Sequence, residues 1–359
     1  MNLIINDTCN RACPYCFARS KVGLSEGPAR PDGKDISLEN FERYLEFHVR
    51  SGVPQLKLLG GEPSLHPEFL EFLRRAHERG LDTLVFSNGL WPRKVQDDLR
   101  SVPLAEWKVR FLFNVNEPHL QPPAQVAHAK ESMKIAGAQG GCGFNIYRDD
   151  FDLQFIPDLI DAAGMSRDLR LGLASPIVGT DNTFVDAAYF KAIGLRLVDE
   201  LRGLEQRNVL GSFDCGFPLC MFPEESLGSL TLNSRGFHSV CGYPIDVGPD
   251  LTAWPCFPLS NFENVRLLDF RSAEELHAHY TKRLAGFRQL GTTEECLTCK
   301  FIEREQCCGG CVARTLKDWA ANGDPDVISK LGSAERAPGA AFAVPHTTSS
   351  GGHAVSPEP

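Results

Sequence analysis

Cys9, Cys13 and Cys16 lie in the stretch Thr8-Cys-Asn-Arg-Ala-Cys-Pro-Tyr-Cys-Phe17, just after the short apolar run Leu3-Ile4-Ile5. Their spacing is C-x3-C-x2-C. Three thiolates on one tight loop can hold three irons of a 4Fe–4S cube and leave the fourth without a protein ligand. An open iron suits a cluster that must bind and reduce something, beyond passing electrons. A zinc knuckle also uses short cysteine spacings, but a closed zinc site takes four ligands. No histidine stands close to this loop, and no fourth cysteine precedes Cys142.

Other polar turns follow strand-like runs. Gly60-Gly61-Glu62-Pro63 comes after Leu56-Lys57-Leu58-Leu59. Paired glycines let backbone approach a ligand closely, and a carboxylate at a strand end can accept from an ammonium group. Ser87-Asn88-Gly89 ends the run Thr83–Phe86, and Asn114-Val115-Asn116 ends Val109–Phe113.

With these motifs in place, the sequence resembles the radical S-adenosylmethionine (SAM) enzymes, whose signature is C-x3-C-x-φ-C with Tyr15 here as the aromatic φ. The resemblance implies a catalytic 4Fe–4S cluster on Cys9, Cys13 and Cys16. It implies that Gly60, Gly61, Glu62 and Pro63 meet the methionyl amino group of SAM as the family's GGEP motif. Ser87 and Asn88 match a family Thr-Asn-Gly. Asn114 and Asn116 stand where relatives place Ser-x-Asp, near the SAM ribose or the substrate, and here the carboxylate charge is gone. The implied chemistry is one-electron cleavage of SAM to a 5′-deoxyadenosyl radical that abstracts a substrate hydrogen.

The elements that must position these groups alternate. Strands are expected near 2–6, 56–60, 83–87, 109–115, 142–147 and 169–174. Amphipathic helices are expected from Leu38 to Val49 and from Pro67 to Glu78, with Ser37 as an N-cap and Gly80 as a C′ residue. A helix over about 184–206 completes the region. Such alternation predicts an α/β fold with a parallel sheet, and the resemblance specifies a partial (β/α)6 barrel over 1–208. The polar turns then gather at the carboxyl ends of the strands, where parallel α/β sheets place their sites.

From about 209 to 320 the texture changes to Cys, Pro, Gly and aromatic residues, a composition that needs metals to hold it. Nine cysteines fall here: Cys215, Cys220, Cys241, Cys256, Cys296, Cys299, Cys307, Cys308 and Cys311. This set resembles the SPASM subfamily, radical SAM enzymes with one or two auxiliary 4Fe–4S clusters. Cys241 and Cys256 have a family spacing, with 14 residues between them. Seven residues rather than the family's five separate Cys299 from Cys307, and no cysteine follows Cys311. The resemblance assigns Cys241, Cys256 and Cys311 to a first cluster, with Cys220 or Cys215 as fourth ligand. It assigns Cys296, Cys299 and Cys307 to a second, with Cys308 as substitute fourth ligand. Cys142, alone in a strand pattern, reads as core packing. Residues 333–359 read as a disordered tail.

A net charge of −9 with no basic stripe argues against nucleic acid. No apolar run is long enough to span a membrane. Thirteen cysteines without a secretion signal point to a reducing cytoplasm and metal ligation. Phe257, next to Cys256, stands where sulfatase maturases carry a carboxylate, which argues against that activity. The expected reaction is modification of a ribosomal peptide by cross-link, oxidation or epimerisation. Its partners would be a reductant such as flavodoxin or ferredoxin and a separate leader-binding protein, since the chain opens directly on its first strand. The alternatives are a dehydrogenase or mutase of a small sugar-like metabolite, and a non-catalytic iron–sulfur electron-transfer protein.

Overall fold

The structure, a computed structural model, describes residues 1–20, 34–237, 239–288 and 290–322. Ten strands form one sheet: β1 (Asn2–Ile4), β2 (Gln55–Leu59), β3 (Asp82–Ser87), β4 (Val109–Val115), β5 (Gly140–Ile146), β6 (Asp168–Leu173), β7 (Leu210–Phe213), β8 (Asp246–Val247), β9 (Thr252–Trp254) and β10 (Val265–Arg266). The helices are α1 (Leu38–Arg50), α2 (Phe69–Glu78), α3 (Arg93–Leu99), α4 (Pro123–Ala136), α5 (Ile156–Ala163), α6 (Phe190–Gln206), α7 (Glu224–Leu232), α8 (Ala273–Arg288), α9 (Lys300–Glu303) and α10 (Val312–Asn322).

The sheet runs in the order β10-β9-β8-β1-β2-β3-β4-β5-β6-β7. From β8 through β7 all neighbours are parallel, and β9 and β10 add an antiparallel edge. The six expected strands are all present, in sequential order, as a partial (β/α)6 arrangement requires.

The expected boundary at 208 does not divide this sheet. β7 continues it beyond α6, and β8 pairs with β1 at the other side. These strands are two to four residues long and rich in Gly, Ser and Asp. Segments that short carry no readable alternation. The tail expected at 333–359 lies outside the described residues.

Local chemistry sets the helices. Ser37 Oγ accepts from the Asn40 amide at 3.1 Å and starts α1, which buries Phe41, Tyr44 and Leu45. Gly80, with φ +71°, ends α2.

Successive strand residues face opposite sides. Leu56, Leu58, Val85, Phe111, Phe113, Leu169 and Leu171 are buried in the main core with the helices. The alternate positions, Lys57, Phe86, Asn114, Asn145 and Arg170, lie on the other face and are only half-buried. Polar side chains there point to a face kept for a ligand.

Candidate active site

Cys9, Cys13 and Cys16 sit half-buried on the loop that follows β1. Two N–H groups point at Cys9 Sγ: the Arg11 amide at 3.4 Å and Asn88 Nδ2 at 3.7 Å. Such donors favour a thiolate, and they suit a sulfur that ligates iron. Burial pushes the unligated Cys9 thiol up to about 12, against the opposing pull of the Arg11 amide. Ile4, Trp254 and Phe257 pack with Cys9 and Cys16 in one apolar cluster. Phe257 therefore joins the segment after Cys256 to the N-terminal loop.

The glycines of Gly60-Gly61-Glu62-Pro63 serve this loop directly. A Cβ on Gly60 would lie 1.9 Å from Asn6 Oδ1, and one on Gly61 would lie 2.1 Å from the Thr8 carbonyl oxygen. The Gly61 and Glu62 amides donate to the Asn6 and Thr8 carbonyls at 3.0 and 2.7 Å. The close approach expected toward a ligand is thus made toward the chain's own cysteine loop.

Glu62 is fully buried. Its carboxylate accepts from the Ser64 amide at 3.2 Å, Ser87 Oγ at 2.9 Å and the Asn88 amide at 2.7 Å. Burial raises its pKa, and these hydrogen bonds counter the rise. Ser87 is equally enclosed, accepting from Trp91 Nε1 at 2.8 Å and the Gly89 amide at 3.0 Å. Pro63 is buried in a 3-10 turn over 63–65. Gly61 and Glu62 thus tie the end of β2 to the cysteine loop, and Glu62 ties it to Ser87 and Asn88 at the end of β3.

Asn88, Asn114 and Asn116 are brought together. With Arg11 and Gln121 they line a cleft of about 180 Å³, whose other walls include Val126 and Met133. Tyr15 does not line it. It is buried, stacked on Tyr147 with ring centroids 4.8 Å apart, and its hydroxyl donates to Asn116 Oδ1. A lining that mixes amide and aliphatic side chains fits a ligand with a polar ribose-like part and a flat apolar base.

Sequence reasoning missed a second polar cluster. Arg170 Nε donates to Asp214 Oδ1 at 2.6 Å, and its guanidinium stacks 4.8 Å from the Phe86 ring centre. Lys57 lies near both, its pKa lowered by burial and then by Arg170. Asp214 directly precedes Cys215, so a carboxylate stands beside one of the nine later cysteines. The available signal was charge inside apolar strands, Lys57 in Gln-Leu-Lys-Leu-Leu and Arg170 in Asp-Leu-Arg-Leu-Gly-Leu. Arg148 is committed elsewhere, paired with the buried Glu117.

Eight of the nine later cysteines fall into two groups, and Cys308 neighbours Cys307 and Cys311. Cys215 has Cys241 as its thiol neighbour, Cys256 has Cys311 and Cys215, and Cys311 has Cys215. Cys220 has Cys296, Cys307 and Cys299 as its thiol neighbours. Among the described residues, no three Cys, His, Asp or Glu side chains converge as tightly as a single metal ion needs. A four-iron cube spreads its thiolates over a wider shell, so the donor set fits a cluster.

Comparison with known proteins decides the first half. The family model for the radical SAM superfamily matches residues 3–147. Residues 3–147 are a radical SAM domain. Over 133 residues the chain is 37% identical to the PqqA peptide cyclase of Ruegeria pomeroyi, covering 37% of this chain and 30% of that protein. A GTP 3′,8-cyclase of Lactiplantibacillus plantarum is 31% identical over 106 residues, 29% of this chain and 30% of that protein. The chain thus spans about a third of the length of these curated relatives. Around the radical SAM domain, the fold is like that of Streptococcus suis SuiB bound to precursor peptide SuiA. The TM-score is 0.56 at 16% identity, covering 91% of this chain and 75% of SuiB. No helix among the described residues is long and apolar enough to cross a membrane.

Proposed function

We propose that this chain is a radical SAM enzyme that modifies a ribosomally made peptide. One observation carries the reading: the cleft lined by Asn88, Asn114 and Asn116 adjoins the three-cysteine loop through Asn88, whose side chain reaches Cys9 Sγ. Cys9, Cys13 and Cys16 would hold the 4Fe–4S cluster, and the cleft would hold the adenosine part of SAM. Together, cluster and SAM supply a 5′-deoxyadenosyl radical for hydrogen abstraction.

The chain's own residues do the positioning. Asn114 and Asn116 offer amide donors and acceptors to ribose hydroxyls. Tyr15 keeps Asn116 oriented. Arg170, Asp214, Asn145 and Lys57 give the open sheet face amide- and carboxylate-binding groups suited to a peptide. Phe257 and Trp254 shield the cysteine loop on the side of the auxiliary cysteines. Electrons would come from a flavodoxin or ferredoxin, and a separate protein would present the peptide's leader. The peptide class is supported by the names of two similar proteins, PqqA peptide cyclase and SuiB with its precursor peptide.

Among the modifications, cross-linking or oxidation is favoured over epimerisation. An epimerase needs a thiol able to return a hydrogen atom to the product. Cys142 is fully buried in the core and Cys308 is buried, so neither reaches the open face, and the third unassigned thiol, the exposed Cys215, would be taken up as a cluster ligand.

Co-expression with a short precursor encoded beside this gene, followed by mass spectrometry, tests the reading. Loss of two hydrogens per modification is expected. An unaltered peptide alongside 5′-deoxyadenosine formation driven by a small metabolite would transfer the assignment to the small-molecule class.

A further inference from the structure

The sequence leaves the fourth ligand of each auxiliary site open. It offers Cys215 or Cys220 to the first and Cys308 to the second. The structure orders them differently. Gly216 adopts φ +105°, a turn that an L side chain rarely permits, and it lays the start of the Cys215–Cys220 segment against Cys311. A Cβ built on Gly216 would lie 3.8 Å from both Cys311 Cβ and Ser175 Oγ. Cys215 is thereby held in the first group, where its thiol meets that of Cys241.

The segment then runs on past Gly310, whose own Cβ position is 3.3 Å from the Gly216 oxygen and 3.6 Å from Pro218 Cδ. A 3-10 turn over Leu219–Met221 carries Cys220 away from the first group. Beyond it, Glu224 at the start of α7 pairs with Lys300 at the start of α9 at 2.7 Å. That ion pair places the chain after Cys220 beside Cys299. Gly291 packs on Cys296, with its Cβ position 2.2 Å from Cys296 Cβ, and Gly309 packs on Gly291. The backbones carrying Cys296 and Cys307 are therefore drawn together on this side of the turn.

Cys308 is occupied differently. Its Sγ donates toward the Gly310 oxygen at 3.2 Å, with the Ser239 oxygen at 3.5 Å, and accepts from the Cys241 amide at 3.2 Å. Those three backbone contacts engage both the proton and the lone pair of a buried thiol.

We propose that Cys220, with Cys296, Cys299 and Cys307, completes a second auxiliary iron–sulfur site, and that Cys308 ligates neither site. An upstream cysteine thus replaces the ligand that the family draws from beyond Cys311. Cys215 closes the first site with Cys241, Cys256 and Cys311. This inference rests on the radical SAM reading with auxiliary clusters, and the test separates the two.

The experiment uses full-length protein reconstituted anaerobically with iron and sulfide, in a background with Cys9, Cys13 and Cys16 changed to Ala. Iron content and the electron paramagnetic resonance spectrum of the dithionite-reduced protein are measured for Cys215→Ala, Cys220→Ala, Cys308→Ala and the Cys215→Ala/Cys220→Ala double variant. The parent is expected to hold about eight irons, from two cubes of four. Cys220→Ala and Cys215→Ala should each lose up to about four irons, or convert one cube to a three-iron form with a changed spectrum. Their spectral losses should differ and should add in the double variant. Cys308→Ala should keep the parent's iron and spectrum. Retention of both cubes in Cys220→Ala, or loss of one in Cys308→Ala, overturns the assignment. Cys220→Ser guards against misfolding: its near-isosteric side chain should shift one cluster's spectrum with the other unchanged. A parent without iron would overturn the auxiliary-cluster reading itself.

Discussion

The Tyr15 hydroxyl donates to Asn116 Oδ1 across 2.6 Å, which fastens the cysteine loop to the residues that follow β4. A side chain two positions from Cys13 thus orients an amide beside the cleft. Tyr15→Phe keeps the ring stacked on Tyr147 and removes this bond together with the hydroxyl's interaction with Cys13. The expected loss is about 1 kcal/mol of stability, with weaker SAM binding and unchanged iron. Urea unfolding and equilibrium dialysis with SAM check both; tighter SAM binding would contradict the role given to Asn116.

Glu62 accepts three hydrogen bonds, from Ser64, Ser87 and Asn88, two of them from main-chain amides. Glu62→Gln replaces one accepting oxygen by a donor that must face those donors. A stability loss of roughly 2–3 kcal/mol is expected, together with poorer iron retention, because Asn88 then loses its anchor beside Cys9. Iron assays after gel filtration give the second readout, and full retention would separate Glu62 from the cluster loop.

Gly61→Ala should be far more damaging than its size suggests, since its Cβ would meet Thr8 backbone at 2.1 Å. Gly228, inside α7, has nothing within 4 Å of its Cβ position. Gly228→Ala should be stabilising by about 0.5–1 kcal/mol, as in a helix interior. Melting temperatures of the two variants should move in opposite directions.

His48 is fully buried, with Nε2 3.1 Å from the Gln55 oxygen. Burial, then the N-terminal amine, lowers its pKa to about 4 from 6.5. A depressed histidine contributes stability that is present above about pH 6.5 and lost as pH falls through about 4. Between pH 7 and 5 the loss should be about 2 kcal/mol. In His48→Gln that part of the pH dependence should vanish, as urea midpoints at the two pH values will show.

Asp214→Asn should leave iron content and SAM cleavage intact while peptide product falls by about tenfold or more. The ratio of 5′-deoxyadenosine to modified peptide reads this uncoupling. Equal falls in both would place Asp214 in support of the cluster rather than the substrate face.

The three-cysteine loop and the strand order were legible because both are local: spacing along one loop, and a repeating strand–helix alternation. Ser37 and Gly80 act as their residue types suggest. Gly60 and Gly61 were visible as a close approach, but a sequence does not say what is approached, and here it is Asn6 and Thr8. Arg170 and Asp214 meet only after β6 and β7 pair, 44 residues apart in the chain. The proposed division of Cys215 from Cys220 turns on the backbone at Gly216, and that of Cys308 on its contacts with Gly310, Ser239 and Cys241. Cysteine counting cannot resolve it.

β1 has β2 on one side and β8 on the other, and Asn2 bonds Asp246 across 244 residues of sequence. During synthesis the strand that feeds the cysteine loop therefore keeps an open edge until β8 leaves the ribosome. At roughly 5–20 residues per second that delay is on the order of tens of seconds, and an unpaired edge is a site for wrong pairing. Trp254 and Phe257, which cover the loop, arrive at the same late moment. Iron loaded onto the nascent loop before that moment would lack its cover.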